Sequence, residues 1–321
     1  MMQSLSGNEY KKNERILVFD ILRIICIAVI IYGHSQFVVL SGINSILYAN
    51  GHWPLNLYPL GLQGYAVAIM FLVSGAVLEY TYKNINNSQD YLRFIFKRFI
   101  RIYPAFWLSL LAAIILFPFL WQSAPLNALI QFSGFTIIVG QTALNPSGWF
   151  IGAIFCLYLL FPWISRIVRK YNLSAVIGFC ILSWSLRFIL STYCIVPIDI
   201  FVRWFPLCTI FEFSVGIYLV QMSLYPKKRN DYPMIRLLAD LSFYAFIFHY
   251  VIITFIKVYL FPSLFSFDTL LALDSYPGAV TLFYCQMMAS VLIISWVMMK
   301  ADVKFQKWLL ERDAVRVFLK N

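Results

Sequence analysis

Arg23 and His34, in the first apolar stretch FDILRIICIAVIIYGH, can do anion-binding and acid–base work. They are eleven residues apart; at about 100° per residue that is three helical turns plus about 20°, so both lie on one face, roughly 16 Å apart along the axis. Asp20 sits one turn before Arg23, close to the same stripe. Ionisable groups inside a membrane span are costly and usually face a protein interior or a water-filled cavity. Two readings stay open on composition: a structural Asp20–Arg23 pair with a hydrogen-bonded histidine, or a site whose imidazole acts as an acid or base.

A second candidate is YLRFIFKRFIRIYP, where Arg93, Lys97 and Arg101 recur every fourth residue with Arg98 beside them. That is an amphipathic helix with a basic stripe. It can lie at a lipid interface with its cations on lipid phosphates, or its guanidinium forks can hold a polyanionic ligand. Pro104 is expected to end this segment and start the next helix. Ser74, Glu79, Arg187, Glu212, Asp240, His249 and Lys257 are further polar residues in apolar stretches. Arg187 and Glu212 can be mutual counter-ions, His249 reads alone as a structural hydrogen-bonder, and Lys257 can snorkel. Trp149 at a span start reads as an aromatic-belt residue. His34, His52 and His249 lack metal-ligand spacing, so no metal is expected. FLVSG around Ser74 lacks the extra glycine of a serine-protease loop.

These groups are embedded in an unusually apolar chain. The hydrophobic share is 61% with 12% charged and a mean hydropathy of +0.78, against about 45–50% and about 25% in soluble domains. Apolar stretches of span length recur almost to the C-terminus, so the fold is expected to be an all-α polytopic membrane helix bundle. Nine segments stand out: 16–40, 60–81, 102–121, 125–141, 149–165, 174–194, 204–222, 238–261 and 279–299. The net charge of +11 does not signal nucleic acid, because most Lys and Arg fall in Lys11–Arg15, Lys83–Arg101, Lys227–Arg236 and Lys300–Lys320. From Ile102 to Ser165 there is no charge at all. That patterning follows the positive-inside rule and puts both termini in the cytoplasm. An even number of crossings is then required, so eight or ten are expected, with the short 125–141 piece as a re-entrant or protein-buried segment.

One membrane domain over 1–321 is expected, with a short cytoplasmic segment 1–14 and a cytoplasmic tail 300–321. The first apolar run is long and lacks a clear cleavage site, so it reads as a retained span. The six cysteines show no Cys-x-x-Cys pair and read as packing residues.

Taken in order, the motifs resemble those of the acyltransferase 3 family of membrane-bound O-acyltransferases. Arg23 and His34 are similar to its first-span arginine and histidine, MFLVSG ending at Ser74-Gly75 to its second-span motif, and Arg98, Arg101 and Pro104 to its basic motif. GWFIGAIFCLYLLFP resembles its tryptophan-led fifth span, FEFSVGIYL a later glycine-bearing span, and LSFYAFIFH the motif ending in His249. Trp149 is followed by Phe150 and Gly152, as in shorter members without an extra domain, where many long members carry a glutamate. The short stretch from Gly216 to His249 leaves little room for a helix pair found in ten-span members.

The resemblance implies transfer of an acyl group, most often acetyl, from cytosolic acyl-CoA to a hydroxyl of a cell-surface or lipid-linked carbohydrate, at the inner (cytoplasmic) membrane of the cell. His34 is then expected to be the general base, with a covalent acyl-histidine as the variant. Asp20 and Arg23 would orient the inner end. Arg98 and Arg101, with Lys97 and Arg93, would bind the CoA phosphates. Ser74, Trp149, Glu212 and His249 would be supporting polar residues. In the uncharged 41–59 loop, Trp53 can stack on a sugar or belong to the aromatic belt. The alternative function is a transporter of an acylated glycan or a small anion, although no internal repeat of the transporter kind is present.

Overall fold

The structure, a computed structural model, describes residues 15–49, 62–82, 85, 87–123, 125–135, 144–193, 205–260, 277–312, 315 and 318, without the side chains of 35–49, 62, 123 and 277–283. Trp53, the 1–14 segment and most of the 262–278 loop lie outside these residues.

The chain is an all-α polytopic membrane bundle; among the described residues the one β-type feature is an isolated bridge pairing Ile16 with Arg229. Helices are α1 (Leu17–Ala49), α2 (Leu62–Thr81), α3 (Ser88–Leu116), α4 (Pro118–Ser123), α5 (Pro125–Phe132), α6 (Gly148–Tyr171), α7 (Leu173–Tyr193), α8 (Ile210–Gln221), α9 (Pro233–Phe255) and α10 (Pro277–Leu310). In hydrocarbon the backbone must satisfy its own hydrogen bonds, and helices do so within one segment.

Among the described residues, seven helices are long and apolar enough to cross a membrane, where the charge pattern predicts eight or ten crossings. Two of the nine apolar segments explain much of the difference. The 125–141 piece holds the eight-residue α5, and the 204–222 piece opens with a 3₁₀ turn at Pro206–Cys208 before the 12-residue α8. Helix α1 runs on to Ala49, beyond its expected end at residue 40.

Pro104 does not end a helix. It lies inside the continuous α3, which carries both the basic stripe and the apolar span. Proline removes one backbone bond there, but Ile102, Tyr103, Ala105 and Phe106 are all buried around it, and neighbouring helices hold the segment in place. Tyr103 Oη donates to the Ser133 carbonyl at 2.8 Å, and Trp107 Nε1 to that of Phe132 at 2.8 Å, tying α3 to the end of α5. At the helix start, Asn87 Oδ1 accepts the N–H of Asp90 at 2.7 Å, an N-cap.

Helices α2 and α8 cross backbone to backbone. A methyl group on Gly75 would run into the Phe213 carbonyl, and one on Gly216 into the Leu72 carbonyl, so each helix presents a glycine to the other's backbone. Small residues permit such close approach between membrane helices. At the end of this pair, buried Glu79 accepts from Ser165 Oγ at 2.6 Å, Arg169 at 2.7 Å and Gln221 at 3.0 Å, fastening α2, α6 and α8 together. Nearer the opposite end, Arg187 and Glu212 form the ion pair their spans allowed, at 2.9 Å.

Two further devices hold α1 and α9. Asn230 N–H donates to the Arg15 carbonyl at 2.7 Å and Leu17 N–H to that of Lys228 at 2.9 Å, strapping the loop before α9 across the start of α1. Ahead of α6, buried Asn145 donates from Nδ2 to Ser109 Oγ at 3.0 Å and to the Ile247 carbonyl at 2.9 Å. That second bond reaches the turn of α9 that carries His249.

Candidate active site in the helix bundle

Helix α1 brings Asp20, Arg23 and His34 along one side, and α9 lies against it. His34 Nδ1 lies 2.8 Å from His249 Nε2, with the ring centres 5.0 Å apart. His249 is fully buried, and its Nδ1 lies 2.6 Å from the Phe246 carbonyl. A carbonyl only accepts, so Nδ1 of His249 carries a proton. In the neutral ring its Nε2 is then the bare acceptor. His34 must therefore donate from Nδ1, which leaves the lone pair of His34 Nε2 available to take a proton. The chain of bonds from backbone carbonyl through two rings fixes one tautomer of His34.

Beside the N-terminal half of α1 is a cavity of about 560 Å³. It is lined by the start of α1, the end of α2, the basic segment of α3, and parts of α6, α9 and α10. Five cations, Arg15, Arg23, Lys97, Arg98 and Arg101, face two carboxylates, Asp20 and Asp240. Asp240 pairs with Arg15 and lies 3.6 Å from Arg101, while Asp20 lies 3.5 Å from Arg23 and accepts from Asn230 Nδ2 at 2.7 Å. Arg98 donates to Tyr82 Oη at 2.7 Å and lies over that ring at 4.9 Å. Its Nε is buried without an acceptor. An excess of cations with an unused buried donor favours a bound anion.

The expected residues divide accordingly. Asp20, Arg23, Ser74, Lys97, Arg98 and Arg101 are brought to one cavity. Arg93 is not on its wall: it lies 3.7 Å from Asp90 and donates to the Phe318 carbonyl at 3.3 Å. One turn before Lys97, it is held at the helix start. Trp149 packs edge-on against Phe150 at 5.8 Å and Glu212 faces Arg187; both lie outside the cavity lining. His249 is not alone, because it meets His34.

Sequence reading missed Arg15, Tyr158, Asn230 and Gln306 as neighbours of the site. Arg15 sits in an ordinary basic N-terminal run, and nothing in the local pattern separates it from Lys11 or Lys12. Among the described residues no group of three or more His, Cys, Asp or Glu side chains can hold a metal.

A polytopic bundle with a cation-rich cavity, and a histidine pair formed between α1 and α9, defines a membrane protein with a candidate anion-binding site. A family model described as an acyltransferase domain, that of acyltransferase 3, matches residues 16–235. The match covers more than half of the chain, which therefore belongs to the acyltransferase 3 family and is a membrane acyltransferase. It includes Arg23, His34, Arg98 and Arg101 and stops before His249. Comparison with curated proteins and with solved structures finds no match.

Proposed function

We propose that this enzyme moves an acyl group, acetyl in the first place, from cytosolic acyl-CoA to a hydroxyl of a cell-surface or lipid-linked carbohydrate in the cell membrane. One observation carries the reading: α1 borders a cation-rich cavity at its N-terminal half and, three turns on, holds a histidine whose Nε2 is left bare by its bond to His249. A donor with several phosphate charges and a thioester on a long arm suits such a layout. The basic end of the bundle is then the cytosolic one, in keeping with the charge distribution.

In this reading Arg98, Arg101 and Lys97 hold the CoA phosphates, with Arg23 deeper on the same wall. His34 Nε2 takes the proton of the acceptor hydroxyl as its oxygen attacks the thioester carbonyl. The new C–O bond forms, the C–S bond breaks, and the imidazolium returns the proton to the departing thiolate. His249 does not touch the reacting atoms; it holds the His34 ring and accepts from its Nδ1, which steadies the imidazolium as it forms.

The test is transfer of label from radiolabelled acetyl-CoA to a cell-envelope glycan extract by the purified protein, compared with its His34→Ala variant. Label on glycan with wild type alone supports the proposal. Equal transfer by both proteins rejects His34 as the base, and no transfer by either rejects the donor–acceptor assignment.

A further inference from the structure

The far wall of the cavity is made of side chains that the acyl-transfer chemistry leaves unused. Lining residues on α1 and α3 come from the basic ends of those helices, and on α2, α6 and α9 the lining runs inward to Met70, Phe150 and Phe246. These three are therefore the innermost, with Arg23 on α1. The paired histidines lie beyond them: His249 is one helical turn past Phe246, and His34 is roughly 16 Å past Arg23 along α1.

The wall is closely packed. Phe150 and Phe246 are buried with ring centres 4.6 Å apart. Behind them Phe71, fully buried, lies 4.9 Å from Phe150. On the other side the Phe246 ring lies 5.8 Å from that of His249, and the Phe246 carbonyl binds His249 Nδ1. In the acyl-CoA reading, an acyl group passing from the arginines toward His34 meets this wall. Rotating a phenyl ring opens a slot little wider than the ring itself, and Phe71 blocks a larger swing of Phe150. Every added methylene must then displace close-packed neighbours.

We infer that Met70, Phe150 and Phe246 form an acyl-length filter, so that the donor class is short-chain acyl-CoA; this rests on the acyl-CoA reading of the cavity. The filter admits a two-carbon group to the histidine pair and holds back longer chains. Hydrophobic pockets distinguish one methylene by roughly 10–200-fold, so several together separate acetyl from octanoyl strongly.

The experiment measures initial rates of label transfer from acetyl-, butanoyl- and octanoyl-CoA to a cell-envelope glycan extract, using the full chain in membranes. Wild type should use octanoyl-CoA at least about tenfold less well than acetyl-CoA. In Phe150→Ala and Phe246→Ala the octanoyl-to-acetyl ratio should rise about tenfold or more, and in Phe246→Trp the butanoyl-to-acetyl ratio should fall. Because each ratio is internal to one protein, a smaller folded fraction does not distort it. Phe150→Leu and Phe246→Leu read the same ratio if an alanine variant yields no protein. Unchanged ratios in active variants, or a wild type that uses all three donors alike, overturn the filter. A folded wild type inert toward all three overturns the acyl-CoA reading, and the filter with it.

Discussion

His34 and His249 are 215 residues apart in the chain and 2.8 Å apart in the fold, with Nδ1 of the first donating to Nε2 of the second. In the proposed mechanism that bond makes His249 a positioning residue for His34 and not a second base. If His34 is the base, His34→Ala should lower kcat by about 10²–10⁴-fold while the protein still elutes as a folded species in detergent. His249→Gln keeps an acceptor oxygen for His34 and should retain more activity than the apolar His249→Leu. Equal losses in those two variants count against the positioning role.

The cation-rich cavity predicts a separation within the basic stripe. Arg98→Ala and Arg101→Ala should each raise the apparent KM for acyl-CoA about tenfold or more, because a hydrogen bond to a charged group contributes about 1.5–3 kcal/mol. Arg93→Ala should leave KM unchanged, since Arg93 is engaged with Asp90 and Phe318. Steady-state kinetics with varied acetyl-CoA checks both, and a KM effect confined to Arg93 reverses the assignment.

At the α2–α8 crossing, Gly75→Leu or Gly216→Leu should destabilise the protein by about 1–3 kcal/mol or more, as overpacking does. A methyl group on Gly178 would meet nothing within 4 Å, and Gly178→Ala should be neutral or stabilising by about 0.5–1 kcal/mol. Thermal melting in detergent distinguishes them; similar midpoints for all three variants mean that the crossing has room for added bulk.

The two partners of the Glu79–Arg169 ion pair should respond unequally. The Glu79 side chain is 3% exposed and that of Arg169 is 50% exposed. Arg169→Ala therefore removes a solvent-screened pair, about 0–1 kcal/mol. Glu79→Ala also strands the buried Ser165 hydroxyl, at about 1–3 kcal/mol, and leaves the Gln221 amide with its bond to the Ser165 carbonyl at 3.1 Å. Melting of the two variants in parallel tests the order, which a more damaging Arg169→Ala would reverse.

Much of this enzyme is readable along the chain. Membrane residence follows from how little charge 321 residues carry, and the shared face of Arg23 and His34 from helical period alone. The clustering of Lys97, Arg98 and Arg101 is likewise local, because a helix repeats every 3.6 residues whatever surrounds it. The extent of α3 was not legible: Pro104 reads as a break in sequence, and only the neighbours packed around it keep the helix continuous. The same holds for α8, where hydropathy suggests a whole span and the chain builds a half-length helix packed on α2.

What the sequence by itself determined was therefore the set of groups and their positions along each helix. Tertiary structure decided which groups meet. Helical period governs neighbours three or four residues apart, but it says nothing about the rotation of α1 against α9, which places His249 beside His34. It is equally silent on Asp240 beside Arg15 and Arg101, and on Phe150 against Phe246. Those pairings depend on side chains packing between distant segments, so Arg23 and His34 acquire their surroundings only when the bundle closes.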